Sequence, residues 1–150
     1  MLFDTLPPID RFKGEYKFLS NFEPCEIEYE GAIYPTLEAA FQAAKTLNPK
    51  QREKIRTAAG PGLAKWMGRH AVTLRAGWDE IKLGIMKELL MKKFSQGDFW
   101  LRLQQTGERE LIEGNTWHDV FFGVCICPAH GYGENMLGKL LMEVRKELRQ

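Results

Sequence analysis

The segment Tyr34–Lys45 carries polar side chains at a spacing that suits chemistry. On a helix, Glu38, Gln42 and Lys45 follow one another at four and three residues, so they project from one face. A carboxylate, an amide and an amine surrounded by alanines could line the floor of a cleft that a ligand approaches closely. The alternative is a solvated stripe joined by a weak ion-pair ladder, and the spacing alone favours that alternative.

Two cysteines and two histidines could in principle bind zinc: His118, Cys125, Cys127 and His130. The Cys-x-Cys spacing is shorter than the two-to-four-residue spacer of common zinc sites. Small apolar cysteines in a strand are therefore the favoured interpretation, and neither a metal nor a cofactor is predicted. A cysteine nucleophile paired with either histidine has equally weak support, because nothing in the sequence orients the groups.

Two further segments have alternative interpretations. Glycines in 131–135 precede a predicted helix, where free amides can hold a phosphate, but an ordinary turn and helix cap fits equally well. The segment 115–123 combines aromatic, carboxylate and amide side chains. Aromatic residues there could stack on a base, although core packing is the commoner use of such residues.

The elements that would position these groups follow from periodicity. Residues 10–35 predict strands and turns, with a hairpin in which Ile27, Tyr29 and Ile33 alternate with glutamates and Pro35 ends the strand. Thr36 is expected to cap the next helix. Helices are predicted over 37–47, 50–59, 63–69, 79–94, 99–105 and 135–148, and short strands over 110–113 and 120–126. This order predicts one helix-dominated α+β domain over residues 1–150.

Composition excludes some classes of protein. The 150 residues carry 21 basic and 20 acidic side chains, so a net charge of +1 supplies no global field for a nucleic-acid backbone. No apolar run is long enough to span a bilayer. Residues 1–8 have neither the basic region nor the apolar stretch typical of a signal peptide, so none is expected. Three cysteines fit a reducing compartment. We expect a cytoplasmic protein with no membrane partner.

Several ordered segments resemble the NADAR family, also called YbiA-like. The resemblance lies in 12–22, 34–45, 64–69, Trp78, 115–123 and 133–145, and it spans nearly the whole chain. It implies the YbiA-like fold and hydrolysis of the bond between ribose C1 and an exocyclic nitrogen. Some family members act on phosphoribosylaminopyrimidine intermediates of riboflavin synthesis, and others remove ADP-ribose from guanine in DNA or RNA.

For this chain the resemblance favours removal of ADP-ribose from guanine, in partnership with an ADP-ribosyltransferase toxin. The alternatives are a small ribosylamine nucleotide substrate and, in a different class, a module that binds ADP-ribose or NAD without turnover. A strand of nucleic acid could follow a local basic cluster made of Arg52, Lys54, Arg56, Lys65 and Arg69.

The resemblance also implies roles for residues. Glu38 and Asp119 would act as acid, base or charge stabiliser, and Lys45 would exchange with an imine at C1 to form a Schiff base. Phosphate would lie at Gly133 with help from Arg69. The remaining expected substrate contacts are Phe18, Ser20, Asn21, Phe22, Gln42, Trp78, Phe121, Phe122 and Asn135.

Overall fold

The computed structural model of the chain describes residues 6–149. Its elements in chain order are a 3₁₀ helix Gly14–Leu19, β1 Pro24–Tyr29, β2 Ala32–Thr36, α1 Leu37–Ala43, α2 Pro49–Arg56, α3 Pro61–His70, α4 Trp78–Phe94, α5 Gly97–Gln105, β3 Gly114–Asn115, β4 Val124–Cys125 and α6 Met136–Leu148. Helices dominate over two small sheets, which confirms the α+β prediction. The expectation about a signal peptide falls partly on residues 1–5, outside the described range.

The described residues form two units, one of residues 21–96 and one of residues 6–20 with 97–149. The first contains β1, β2 and α1–α4. The second contains the 3₁₀ helix, α5, β3, β4 and α6. Within residues 6–149, no helix has both the length and the apolar character needed to cross a membrane.

The predicted hairpin is present as β1 and β2, which pair antiparallel. Ile27 lies opposite Tyr34, and both are buried. Ile33 instead pairs with Glu28 and is 56% exposed, because neighbouring residues of a strand point to opposite faces. The prediction that Pro35 ends the strand was wrong by one residue, since β2 continues to Thr36.

Thr36 caps α1 as predicted, because its Oγ1 accepts a hydrogen bond from the amide of Ala39 at 3.0 Å. All seven residues of α1 are buried. The helix ends at Ala43 and not at residue 47, and Lys45 lies in the turn that follows. The main chain of this turn is held by the amide of Arg75, which donates to the carbonyl of Lys45 at 2.8 Å.

Helices α2, α3 and α4 surround α1 within residues 21–96. They match the predicted helices to within three residues at each end. Helix α2 begins at Pro49 because the Asn48 side chain accepts hydrogen bonds from the amides of Lys50 and Gln51. Asn48 therefore caps α2.

Lys93 on α4 is completely buried, which the amphipathic pattern of this helix did not predict. Its ammonium nitrogen lies 5.1 Å from the centre of the Phe94 ring. Burial lowers its pKa to about 8, against the opposing effects of Cys25 and Glu23.

The unit of residues 6–20 and 97–149 contains fewer strand residues than predicted. Within the region predicted as strands and turns, residues Gly14–Leu19 form a 3₁₀ helix. Within the strand predicted at 110–113, the structure has only a bridge between Leu111 and Ile9, and β3 follows just after it. The strand predicted at 120–126 reduces to the two residues of β4, which pair parallel with β3. The carbonyls of residues 120–123 accept hydrogen bonds from amides at the start of α6, so they do not form a longer strand.

Candidate functional site

The polar face of α1 is buried and not solvated. Glu38 is 7% exposed and Gln42 is 5% exposed. The Gln42 side-chain nitrogen donates to a carboxylate oxygen of Glu38 at 2.5 Å. A hydrogen bond to a buried carboxylate is strong and fixes its orientation. The alternative of a solvated stripe was therefore wrong for these two residues.

The close approach of α3 to α1 depends on Gly68. A Cβ atom at this position would lie 1.9 Å from Oε1 of Gln42 and 2.9 Å from its Cβ. Only glycine leaves room for the Gln42 side chain that holds Glu38. Sequence reasoning missed this residue, although a glycine inside a helix is a signal of close packing.

Lys45 lies in a basic environment with one carboxylate. Burial lowers the pKa of its amine, and the charges of Arg69, Lys65 and Lys82 lower it further, whereas the carboxylate of Glu38 raises it. A lysine with a lowered pKa has more of its amine unprotonated and able to act as a nucleophile. Lys82 was not predicted as part of this cluster, since its distance along the chain hides its position.

The amide of Asn21 lies beside α1. Its backbone carbonyl accepts the amide hydrogen of Glu38 at 3.0 Å, and its side-chain nitrogen contacts the sulfur of Met86 at 3.6 Å. Its Oδ1 is buried and has no hydrogen-bond partner among residues 6–149. A buried acceptor without a partner is costly, so it is a candidate contact for a ligand.

The aromatic residues predicted in this unit differ in exposure. Phe22 is 39% exposed, and the ammonium nitrogen of Lys65 lies 5.8 Å from the centre of its ring. Trp78 is buried and packs on Phe41 with ring centres 5.2 Å apart. Its main contribution is therefore to the core around α1.

The basic cluster proposed from the sequence is only partly available. Arg52 bonds Glu30 at 2.7 Å, and Arg56 bonds Glu53 at 2.5 Å. These two arginines neutralise neighbouring carboxylates, which reduces their attraction for a phosphate backbone.

Phe18 and Ser20 belong to the unit of residues 6–20 and 97–149. Phe18 is buried, and the guanidinium of Arg102 lies 5.3 Å from the centre of its ring. Ser20 is half-buried, and its amide donates to the carbonyl of Lys17 at 2.9 Å, which ends the 3₁₀ helix. Their roles in substrate binding stay predictions.

Asp119 has a clear role in holding a loop. Its Oδ1 accepts hydrogen bonds from the amides of Phe121 at 3.0 Å and Phe122 at 2.9 Å. The two phenyl rings are half-buried and meet edge to face with centres 4.9 Å apart. The carboxylate thus orients the two aromatic residues that the family resemblance assigns to a ring pocket, and its role in catalysis stays a prediction.

The start of α6 does not offer the free amides that one interpretation of the sequence required. The amides of residues 134–137 donate to the carbonyls of residues 120–123, at 2.8 to 3.3 Å. The proposed phosphate position at Gly133 therefore lacks those donors. Gly133 allows a close approach, since a Cβ there would lie 2.1 Å from the carbonyl oxygen of Gly123.

Asn135 is also structural. It adopts a left-handed conformation with φ of 53°. Its side chain accepts from the amide of Glu113 at 2.9 Å and donates to the carbonyl of Leu111 at 2.9 Å. These bonds use both ends of its amide to hold the segment before β3.

Among residues 6–149, one group of side chains could hold a metal ion. The ligand atoms of His118, Cys125, Cys127 and His130 all lie within 4.8 Å of one another. The argument from Cys-x-Cys spacing, which disfavoured a metal, was wrong about geometry, because the loop folds all four side chains together.

Comparison with known proteins gives consistent results. A family model described as the NADAR domain matches residues 10–149. N-glycosidase YbiA of Escherichia coli (strain K12) is 37% identical over 97% of this chain and 89% of its own length. N-glycosidase Npun_R5314 of Nostoc punctiforme is 38% identical over 89% of this chain and 86% of its own length.

A longer relative carries a different name. Riboflavin biosynthesis protein VVA0006 of Vibrio vulnificus is 33% identical over 89% of this chain but only 36% of its own length. Among solved structures, the NMR structure of E. coli YbiA superposes with a TM-score of 0.80, covers 99% of this chain and 88% of that one, and is 34% identical. This similarity confirms the YbiA-like fold, and the chain belongs to the NADAR family.

Proposed function

We propose that this N-glycoside hydrolase removes ADP-ribose from guanine bases of nucleic acid. The observation that carries the proposal is the partly buried amine of Lys45, whose pKa is lowered by burial and by neighbouring cations beside the Glu38 carboxylate. Such a site combines a nucleophile, an acid–base group and positive charge. Those are the groups needed to break a C1–N bond in a phosphorylated ribosyl substrate.

Glu38 is the proposed proton carrier. The side-chain nitrogen of Gln42 donates to one carboxylate oxygen of Glu38 at 2.5 Å and fixes its position. The amide of Glu38 donates to the carbonyl of Asn21, which holds the main chain. In its protonated form, the fixed and buried carboxyl group of Glu38 can deliver a proton to the leaving nitrogen, and the carboxylate that results can stabilise positive charge at C1. The unpartnered Oδ1 of Asn21 offers an acceptor for a sugar hydroxyl or a base amine.

Lys45 is the proposed nucleophile. The aminal first opens, with its ring oxygen taking a proton, to give an imine between C1 and the leaving nitrogen. The neutral amine of Lys45 adds to C1, and the base leaves as a free amine after proton transfer to its nitrogen. Water then adds to the imine that joins C1 to Lys45, which releases the sugar aldehyde and restores the lysine.

A nucleic-acid substrate is supported by the surface of α3. Trp66 is 56% exposed, and its ring centre lies 5.0 Å from that of His70. Lys65 and Arg69 occupy neighbouring positions on the same helix. Exposed aromatic rings among cations are typical of surfaces that stack bases and follow a phosphate backbone.

The second candidate is a phosphoribosylaminopyrimidine intermediate of riboflavin synthesis. The name of the Vibrio vulnificus relative favours it. The same cations and the same Glu38–Lys45 chemistry would serve this substrate, because it also joins ribose C1 to an exocyclic nitrogen. It would not need Trp66, since a free nucleotide does not extend along a surface.

The first experiment compares substrates. The full chain is incubated with ADP-ribosylated guanine oligonucleotides of DNA and RNA, and separately with the phosphoribosylaminopyrimidine. We expect release of ADP-ribose from an oligonucleotide at the higher kcat/KM. Faster release of ribose 5-phosphate would transfer the proposal to the second candidate, and no release from either would contradict catalysis.

The second experiment separates catalysis from binding. Glu38→Gln keeps the size of the side chain but removes the acid, so product release should fall about 100-fold or more while ADP-ribose still stabilises the protein to heat. Unchanged turnover would remove Glu38 from the mechanism. Trp66→Ala should lower kcat/KM on oligonucleotides only, by about 10-fold, as expected for one lost base stack.

The covalent step has its own test. Borohydride added during turnover should reduce the imine and leave a sugar adduct on Lys45, located by peptide mass spectrometry. Lys45→Arg keeps a cation but cannot form the imine, so it serves as the control. Turnover without an adduct would exclude the covalent route and leave Glu38 catalysis intact.

The proposed partner enzyme is an ADP-ribosyltransferase that modifies guanine, since such an enzyme must supply the substrate. Co-expression in cells tests this proposal. The active chain should relieve growth arrest caused by such a transferase, and the Glu38→Gln variant should not.

A further inference from the structure

We propose that His118, Cys125, Cys127 and His130 form a zinc site. The Nδ1 atom of His118 lies 3.6 Å from the sulfur of Cys125 and 3.4 Å from that of Cys127. The Nδ1 atom of His130 lies 3.0 Å from the sulfur of Cys127 and 3.3 Å from Nδ1 of His118. The two sulfurs are 3.0 Å apart. Four lone-pair donors therefore converge on one point.

The strand geometry explains how the short Cys-x-Cys spacing works. Cys125 ends β4, and the chain bends at Cys127, which brings the two sulfurs to 3.0 Å. The chain then turns back, because the amide of Cys125 donates to the carbonyl of Tyr132 at 3.0 Å. Gly131 permits the turn with φ of +71°. The turn presents His130 beside Cys127.

His118 reaches the same point from a separate loop. It adopts φ of +67°, a left-handed conformation that is uncommon outside glycine and often occurs at functional positions. The side chain of Asn115 holds this loop, since it accepts from the amide of Asp119 at 3.1 Å and donates to its carbonyl at 2.9 Å. The imidazole is thus positioned by a loop with its own hydrogen bonds.

The distances match a tetrahedral ion with small adjustments. Bonds of about 2.3 Å to sulfur and about 2.0 Å to nitrogen place tetrahedral ligands about 3.3 Å (N to N) to 3.8 Å (S to S) apart. Five of the six separations between ligand atoms are 3.0 to 3.6 Å, and all four atoms lie within 4.8 Å of one another. Shifts of about 1 Å in the ligand atoms, chiefly to separate the sulfur of Cys127 from Cys125 and His130, give the tetrahedral arrangement. Side-chain rotation alone can supply such a movement.

The donor set selects the ion. Two thiolates and two imidazoles in a tetrahedron suit zinc better than magnesium or calcium, which prefer oxygen ligands. Binding replaces the two thiol protons, so Zn²⁺ and two neutral thiols give a neutral centre and two released protons. With four protein ligands the site is closed, which indicates a structural role. The ion would join the loop of Asp119, Phe121 and Phe122 to the turn after β4.

The chain supplies matched controls for an experiment. It contains three cysteines and three histidines, of which Cys25 and His70 lie outside the cluster. The full chain is purified under reducing conditions, and its metal content is measured by mass spectrometry of the elements. We expect close to one zinc per chain in the unmodified protein and in Cys25→Ser and His70→Gln. Cys127→Ser and His130→Gln should weaken zinc binding at least about 100-fold.

Cobalt provides a readout that does not require folded variants. Titration of the metal-free chain with Co²⁺ should give visible bands of a tetrahedral ion and a near-ultraviolet band of thiolate-to-cobalt charge transfer. Displacement by Zn²⁺ should remove both. Absence of zinc together with an octahedral cobalt spectrum would overturn the proposal. So would a Cys125–Cys127 disulfide that persists in the reduced preparation, or equal zinc content in Cys127→Ser and Cys25→Ser.

Discussion

Replacement of Gly68 by alanine tests how α3 and α1 position Glu38. The added Cβ would lie 1.9 Å from Oε1 of Gln42, 2.7 Å from its Cδ and 2.9 Å from its Cβ. The contact with Cβ means that rotation at the end of the side chain does not relieve the clash. Gln42 must move as a whole, and its hydrogen bond to Glu38 is then lost.

The expected magnitude follows from three effects. Overpacking of a tight interface costs about 1–3 kcal/mol. Loss of a hydrogen bond to a charged group costs about 1.5–3 kcal/mol. Alanine gains about 1 kcal/mol over glycine within a helix. The net result is a lower free energy of unfolding, by about 2 kcal/mol or more.

The assay is urea denaturation of Gly68→Ala beside a matched control, Gly84→Ala. Gly84 lies within α4, and a Cβ there meets nothing within 4 Å. The control should therefore gain about 1 kcal/mol from helix propensity alone. In the double variant Gly68→Ala with Gln42→Ala, the clash disappears and the cost of the Gly68 change should fall.

Turnover provides a second measurement of the same change. Because Gln42 orients Glu38, Gly68→Ala should lower kcat under conditions in which the variant remains folded, and Gly84→Ala should not. The reasoning is refuted if Gly68→Ala is as stable as Gly84→Ala. It is also refuted if Gln42→Ala does not reduce the cost of the change at Gly68.

Three further changes are expected to alter stability. A lysine pKa lowered from 10.5 to about 8 costs the folded state up to about 3 kcal/mol below pH 8. Lys93→Met should therefore raise the free energy of unfolding at pH 7. This stabilisation should fade as the pH rises from 8 to 10.5, because in that range the unfolded wild-type chain binds a proton that the folded chain does not. Equal stabilisation across this range, measured by urea denaturation, would contradict the cause. Thr36→Ala removes the cap of α1 and should lower the free energy of unfolding, measured by thermal denaturation, by about 1 kcal/mol. Thr36→Ser keeps a hydroxyl at the cap and should retain most of that free energy. Asp119→Ala removes the acceptor of two amide hydrogen bonds and should lower the free energy of unfolding by about 1–3 kcal/mol. Asp119→Asn keeps an acceptor oxygen at this position and should lose less. Equal losses in these two variants would show that the loop does not depend on that acceptor.

Local patterns predicted the elements well where periodicity was strong. The hairpin, the cap at Thr36 and the long helix α4 follow from alternation, cap chemistry and three-to-four spacing, all of which act within a few residues. The predicted strands of 110–126 largely did not form. In the second of them, the carbonyls of residues 120–123 accept hydrogen bonds from amides at the start of α6, a partner that no local pattern reveals.

The candidate site shows the same division. The face of Glu38, Gln42 and Lys45 was visible in the sequence, but spacing alone favoured a solvated stripe. Burial of Glu38 and Gln42 depends on the packing of α3 through Gly68. The cations that lower the Lys45 pKa come from α3 and α4, up to 37 positions along the chain.

The sequence by itself determined the type of chain: an α+β protein of the NADAR family, with Glu38 and Lys45 close together along the chain. Those properties reside in local spacing and in ordered motifs. Only the tertiary structure decided which polar groups are buried, which amides are already bonded, and that two histidines and two cysteines converge. Each of these depends on contacts between residues distant in sequence, where desolvation and close packing change what a side chain can do.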